Sequence, residues 1–371
     1  MSTVPGSAGL KPPALPRDGD LTAAPDGTAA RRRRWSPLAG TAGAIALALF
    51  VGAGLLLAAG VDPLAAYRAL LDGAIGSSGA VQLLLLDFTP LLIIALGLAA
   101  AFRARVWNIG ADGQFQMGAL VAAVVLLRVP IGSPLLAIPV AMAVGAAAGA
   151  VVGLGIAVLR ARWHINEVVT SLLSNYVVFF FLAYVVRGPL RDASGAATIQ
   201  SKRLPDAGIL PLIPGSRVHI GLLVALALVP VLAWTLARTP FGFKTRAVGL
   251  NAEAAEAAGI ATRKVITRTM LISGGLAGLA GAIQLMGSEF RLTASISTGI
   301  GFTAIVVALL GRLGPFGIVF SALLIAGLSV GGDAMEFRNG VPNAVVLAIE
   351  ALIVLFVLLA NRRQLMRGDT A

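Results

Sequence analysis

The sequence predicts an all-α polytopic membrane protein of about ten transmembrane helices, with both termini cytoplasmic. Three observations carry this. Of 371 residues, 57% are hydrophobic and only 12% are charged, where soluble domains carry roughly 25% charge. Apolar runs near twenty residues recur along the chain, each long enough to cross a bilayer core of about 30 Å. The Lys and Arg residues gather on alternate connections between those runs.

The elements follow in order. Residues 1–35 are rich in Pro, Gly, Ala and Asp and end in Arg31–Arg34, a composition too polar to pack and expected as a disordered cytoplasmic tail. A cleaved leader would carry an apolar core of only about 7–15 residues, and the run Leu38 to Gly60 is longer. Residues 36–363 form the transmembrane region. Its expected spans are 38–60, 81–101, 109–127, 134–158, 167–186, 219–237, 266–286, 300–311, 315–332 and 342–360. The eighth is short and lies between "TGIGF" and "GRLGP", the pattern of a broken or re-entrant helix. Residues 364–371 are a second cytoplasmic tail.

With the N-terminus inside, twenty of the 29 Lys and Arg fall on the cytoplasmic side. This is the positive-inside pattern, and it accounts for the net charge of +12 without nucleic acid. Five of the nine outer cations lie in one loop, 187–218.

Several chemistries are excluded or weak. There is no cysteine, hence no disulfide or thiolate site. His164 and His219 lie too far apart for a metal-ligand pattern. "GFKT" at 242–245 lacks the loop glycine of a P-loop. No cofactor is implied. "GSSG" at 76–79 matches the short pattern of intramembrane serine proteases, with His219 as the remote base. Four residues in a Gly- and Ser-containing loop make that a weak signal.

Three stretches point to function. In the inner loop 238–265, "GLNAEAAEAAGIATRK" reads as one short helix. Asn251 is its N-cap, Glu253 complements the positive end, and Gly259 is the stop. Its side chains are mostly Ala, with Ala255 and Glu256 at its middle, so it is slim enough to enter a groove of a partner. A plain surface connector is the competing reading.

In "HINEVVTSLLSNYVV", Glu167, Ser171, Ser174 and Asn175 fall at i, i+4, i+7 and i+8 on one helix face. A polar stripe on a membrane helix must face protein or water. It either lines a wet path or ties helices together by hydrogen bonds. In "VWNIGADGQFQMGAL", Asn108, Asp112 and Gln116 share a face. Gly110, Gly113 and Gly118 let neighbouring backbones approach. Asn108 also suits an N-cap. Glu350 is a further acid within an apolar run, a functional candidate by position.

Taken together, "FRARVWNIGADGQFQMGAL", "INEVVTSLLSNYVV", "GLNAEAAEAAGI", "SGGLAGLAGAIQ" and "GFTAIVVALLGRLGPFG" occur in an order that resembles the permease subunits of ABC-type importers. The branch is that of branched-chain amino acid, ribose and nucleoside systems. The versions here look most like its nucleoside, or simple-sugar, members, over about residues 80–360.

The resemblance implies a function and partners. The chain would be a non-enzymatic permease in the inner membrane of a prokaryote. It would work with cytoplasmic ATPase subunits, a second permease and an extracytoplasmic substrate-binding protein. Asn251, Glu253, Ala255, Glu256 and Gly259 would belong to the helix that couples to the ATPase. Asn108, Asp112, Gln116, Glu167, Ser171, Ser174 and Asn175 would lie along the path of a small polar solute, a nucleoside first and a sugar second. Asp112, Ala252 and Thr303 stand where the family more often carries Glu, Pro and Asp. A stand-alone secondary transporter or channel is the alternative. Spans two to five and seven to ten would form inverted repeats.

Overall fold

The computed structural model describes residues 37–194 and 198–366. In chain order its helices are α1 (Pro37–Ala58), α2 (Pro63–Ile75), α3 (Ser78–Arg103), α4 (Ala111–Arg128), α5 (Pro134–Trp163), α6 (Glu167–Arg187), α7 (Gly221–Arg238), α8 (Pro240–Leu250), α9 (Ala252–Ala257), α10 (Thr262–Gln284), α11 (Ile300–Leu310), α12 (Pro315–Asn339) and α13 (Asn343–Met366). A π-helical segment, Leu285–Glu289, continues α10. The tail 1–35 and residues 367–371 lie outside the described residues.

Seven helices are long and apolar enough to cross a membrane: α3, α5, α6, α7, α10 with its π segment, α12 and α13. They match seven of the expected spans. The span 38–60 is α1, which passes only together with α2 as a pair bent by 118°. The bend follows from Gly60 at φ +76° and from Asp62, which caps α2 ahead of Pro63. The sequence reading missed α2. The spans expected at 109–127 and 300–311 are helices too, but α4 opens with polar turns and α11 has only 11 residues.

Helix α3 forms the centre. It is apolar all round, and Phe88 to Phe102 are buried without a break, as expected of a helix enclosed by others. Helix α10 is the second central element. The two are exchanged between halves. Helix α10 packs on α4 and α5, whereas α3 packs on α11 and α12. Helices α3–α6 and α10–α13 thus repeat one packing plan, and each leading helix sits in the other set.

Glycines set the closest approach. Gly145, Gly149 and Gly153 of α5 face Gly274, Gly278 and Met270 of α10; a Cβ at Gly153 would lie 2.6 Å from the Met270 carbonyl oxygen. Gly118 of α4 meets the Gly278 backbone. Lipid tails are as apolar as side chains, so close backbone packing is the main source of such association.

The described residues of the long loop 187–218 dock on the chain after α10. The N–H groups of Ser201, Leu204 and Leu210 donate to the carbonyls of Leu292, Phe290 and Met286 at 2.9, 2.9 and 3.0 Å. Arg291 bridges to Asp192 at 3.0 Å.

Candidate translocation site

The polar residues of the first crossover separate into two networks. Asn108 is not the N-cap of α4; Gly110 is. Its side chain turns back instead. Asn108 Oδ1 accepts from Gly110 N and Gln114 Nε2, both at 3.1 Å. Its Nδ2 donates to Gln114 Oε1 at 2.7 Å and to Ser273 Oγ of α10 at 2.9 Å. Asn108 and Gln114 are fully buried.

Asp112 and Gln116 form the other network. Asp112 Oδ2 accepts from Gln116 Nε2 at 2.9 Å. Asp112 Oδ1 accepts from Ser297 Oγ at 2.7 Å and from the backbone N–H of Gly301 at 3.0 Å. Gly301 is in the first turn of α11, and Asp112 is in the first turn of α4. One carboxylate therefore complements the positive ends of two helices. Gly301 is required there, because a Cβ would lie 2.8 Å from that of Asp112.

The stripe on α6 meets the start of α4. Asn175 Oδ1 accepts from Gly113 N at 2.8 Å, and its Nδ2 donates to the Ile109 carbonyl at 2.9 Å. Ser171 Oγ accepts from Ile109 N at 3.1 Å, and Ser174 Oγ donates to the Ser171 carbonyl at 2.7 Å. Ser171 and Asn175 are buried. Glu167 stands apart, paired with Arg160 at 2.6 Å. Periodicity found this face. Gln114, Ser273 and Ser297 were missed as partners because two of them are more than 160 residues away from the groups they bind.

The inner loop holds two helices rather than one. Helix α8 precedes α9, and α9 closes as expected. Asn251 Oδ1 accepts from Ala254 N at 3.0 Å. Gly259, at φ +82°, donates to the Glu256 carbonyl, and Ile260 donates to the Ala255 carbonyl, both at 2.9 Å. That is the paired Schellman closure. Ala255 points inward and is buried. Ala254, Ala257 and Ala258 are exposed, as are Glu253 and Glu256. Beside α9, a cleft of about 490 Å³ is lined by Arg160, His164, Glu167, Glu256 and Thr262.

Two further candidates resolve simply. Ser77 and Ser78 are the N-cap and first residue of α3, and neither ring nitrogen of His219 has a hydrogen-bond partner. The Ser–His pair of a protease is not formed. Glu350 on α13 lies beside Gly332 of α12.

Comparison with known proteins gives the family. Residues 80–359 match the family described as branched-chain amino acid transport system / permease component. The glucose ABC transporter permease protein of Haloferax volcanii is 37% identical over 84% of this chain and 84% of its own length. The guanosine ABC transporter permease protein of Bacillus subtilis is 35% identical over 85% of this chain and 91% of its own. The nucleoside ABC transporter permease protein of Lactococcus lactis subsp. cremoris is 32% identical, over 85% and 88%. No solved structure matches. The chain belongs to the branched-chain amino acid transport system / permease component family and is a multi-pass ABC transporter permease, a subunit that does not itself hydrolyse ATP.

Proposed function

We propose that the chain is the membrane path of an ATP-driven importer in the inner membrane of a prokaryote. It crosses ten times, with α4 and α11 among the crossings and both termini in the cytoplasm. It moves a nucleoside, with a sugar as the second choice, since the similar permeases carry guanosine, nucleoside and glucose in their names. Its partners are cytoplasmic ATPase subunits, a second permease and an extracytoplasmic substrate-binding protein.

The observation that carries the topology is that segments assigned to the same side touch one another. On the inner side, Arg103 Nε donates to the Leu313 carbonyl at 3.1 Å, Gly249 packs on the Arg103 carbonyl, and Arg160 shares a cleft with Thr262. On the outer side, Arg128 donates to the Pro189 carbonyl at 3.0 Å, and the backbone N–H of Arg217 donates to Gln82 at 2.9 Å.

The α9 surface that docks the ATPase is Glu253, Ala254, Glu256, Ala257 and Ala258, with Asn251, Ala255 and Gly259 holding its shape. The polar groups Asn108, Asp112, Gln116, Ser171, Ser174 and Asn175 brace the path rather than wet it. Burial already covers most of them, and a second subunit can only cover more. Glu167 braces the inner end through Arg160.

Single cysteines test the topology cleanly, because the chain has none of its own. Asp206→Cys labels from outside intact cells and Ala257→Cys only after permeabilisation; labelling from one side would refute ten crossings. Ala257→Trp abolishes uptake without loss of folded protein. Wild-type uptake in that variant would remove the docking role. Guanosine competing for uptake where glucose does not would settle the solute.

A further inference from the structure

The permease reading leaves a set of polar atoms unexplained, and this inference rests on that reading. Among the described residues, Gln116 Oε1, Gln284 Oε1 and Ser288 Oγ are buried atoms with no hydrogen-bond partner. Unmet polar atoms are costly inside a membrane protein, so two of them one turn apart, on Gln284 and Ser288, need a cause. Helix α10 meets α4 just before them. Gly281 packs against the Phe115 carbonyl; Gln116 is the next residue, and Gln284 lies one turn beyond Gly281.

The two glutamines are held by the same device. Asp112 takes the Gln116 Nε2 at 2.9 Å, and Glu289 takes the Gln284 Nε2 at 3.4 Å. The opposite amide orientation would set two acceptors face to face, so each carbonyl oxygen is turned away from its carboxylate. The spacing within α10 explains the π segment. Residues five apart diverge widely on an α-helix and align on a π-helix. Only the π turn of Leu285–Glu289 brings Glu289 back over Gln284. That turn depends on Gly287, against which the His219 ring is packed. It also depends on Leu210 N, which donates to the Met286 carbonyl. Gln284 and Ser288 are half-buried and Glu289 is exposed, whereas Ser171 and Asn175 of the α6 stripe are buried.

We propose that Gln284, Ser288 and Glu289 form the solute-contact face, and that it takes the vicinal hydroxyls of a ribose or hexose ring. The free atoms are acceptors, and a hydroxyl able to accept or donate. Sugar hydroxyls supply the donors these acceptors lack. An amino-acid carboxylate would find no free cation there, since Arg291 is already engaged by Asp192 and the Ser201 carbonyl.

The test uses the whole complex in membranes, with uptake normalised to assembled protein. Gln284→Ala and Ser288→Ala each raise the KM for guanosine about tenfold or more. For the wild type, 2′,3′-dideoxyguanosine competes at least tenfold worse than guanosine, and Gln284→Ala narrows that gap. Glucose as the probe in place of guanosine identifies a hexose as the source of the hydroxyls. Ser288→Cys reacts with a hydrophilic thiol reagent and is protected by the transported solute. Wild-type KM in both alanine variants, or equal competition by the dideoxy compound, overturns the proposal. So does an unreactive Ser288→Cys in a complex whose uptake is ATP-dependent. A wild-type complex that moves neither guanosine nor glucose overturns the ring-hydroxyl ligand, while ATP dependence of any other uptake keeps the permease reading.

Discussion

The crossover from α3 into α4 and the crossover from α10 into α11 share a plan and differ in finish. Each begins with Phe-Arg, Phe102–Arg103 and Phe290–Arg291. Each enters the next helix through a glycine N-cap, Gly110 and Gly299. In each, a side chain two residues earlier accepts that glycine's N–H: Asn108 at 3.1 Å and Ser297 at 3.2 Å. Beyond this the two part. The first crossover is tied on all sides by Gln114, Ser171, Asn175 and Ser273. The second borrows Asp112 from the first and leaves Ser295, Thr298 and Glu289 exposed. Polar groups satisfied within the chain hold helices in place. Polar groups left open face the surroundings of the chain.

The strongest way to break this comparison is at the one point where the crossovers touch. Gly301→Val places a branched side chain against the backbone of Asp112. Overpacking of this kind costs about 3 kcal/mol, because neither backbone can retreat. Thermal unfolding of the purified protein in detergent should show it, together with poor recovery. A stable Gly301→Val protein would mean the two halves meet more loosely than their geometry states.

Next in size is Asn175→Leu. It leaves the Gly113 N–H and the Ile109 carbonyl without partners, at a cost of roughly 2 kcal/mol. Assembly should fail before transport does. Ser297→Ala removes a single hydroxyl from the more open crossover and should cost about 1 kcal/mol. Equal losses of assembly in the two variants would erase the contrast between a closed and an open crossover.

The closed crossover was partly legible in the sequence and the open one hardly at all. Polar spacing placed Ser171 and Asn175 on one face, and small residues marked the close approach at Gly110, Gly113 and Gly118. Asn251 and Gly259 gave both ends of α9, since caps are local signals. Helix α8 was hidden because "PFGFKTRAVGL" mixes apolar and basic residues without a clear period. The π turn was hidden because nothing local specifies it. It needs His219 against Gly287 and Leu210 bonded to Met286, contacts made by a loop some seventy residues earlier. The direction taken by Asn108 was lost for a similar reason. An Asn before a helix suits capping, and Gln114 together with Ser273 on a distant helix turns it away.

Asp112→Asn gives a smaller effect. The amide keeps the shape but drops the charge that faces two helix N-termini. A charge at one helix end is worth typically 0.3–1 kcal/mol, so about 1 kcal/mol is expected here. Thermal unfolding should resolve it, and low salt should enlarge it. A loss as large as that of Gly301→Val would point to steric fit rather than charge as the link between crossovers.

The smallest effect at neutral pH sharpens the open crossover from below. His219 lies just outside α7, wholly buried, with neither ring nitrogen partnered. Burial lowers its pKa from the ordinary 6.5 to about 4, so it is neutral in the folded protein and acts as an apolar prop for the π turn. His219→Phe keeps a flat ring and removes nitrogens that bond to nothing. At pH 7.5 its stability should stay within about 0.5 kcal/mol of wild type, as for a substitution that breaks no interaction. The two should diverge in acid. Below pH 6.5 the unfolded chain binds a proton on His219 that the folded chain refuses until about pH 4. Wild-type stability therefore drains away across that window, and the Phe variant lacks this contribution. Unfolding followed between pH 7.5 and 4 would show the variant overtaking wild type on the acid side. Identical slopes, or a loss of 2 kcal/mol or more at pH 7.5, would mean that His219 has a polar partner and that the floor of the π turn is not the dry support described.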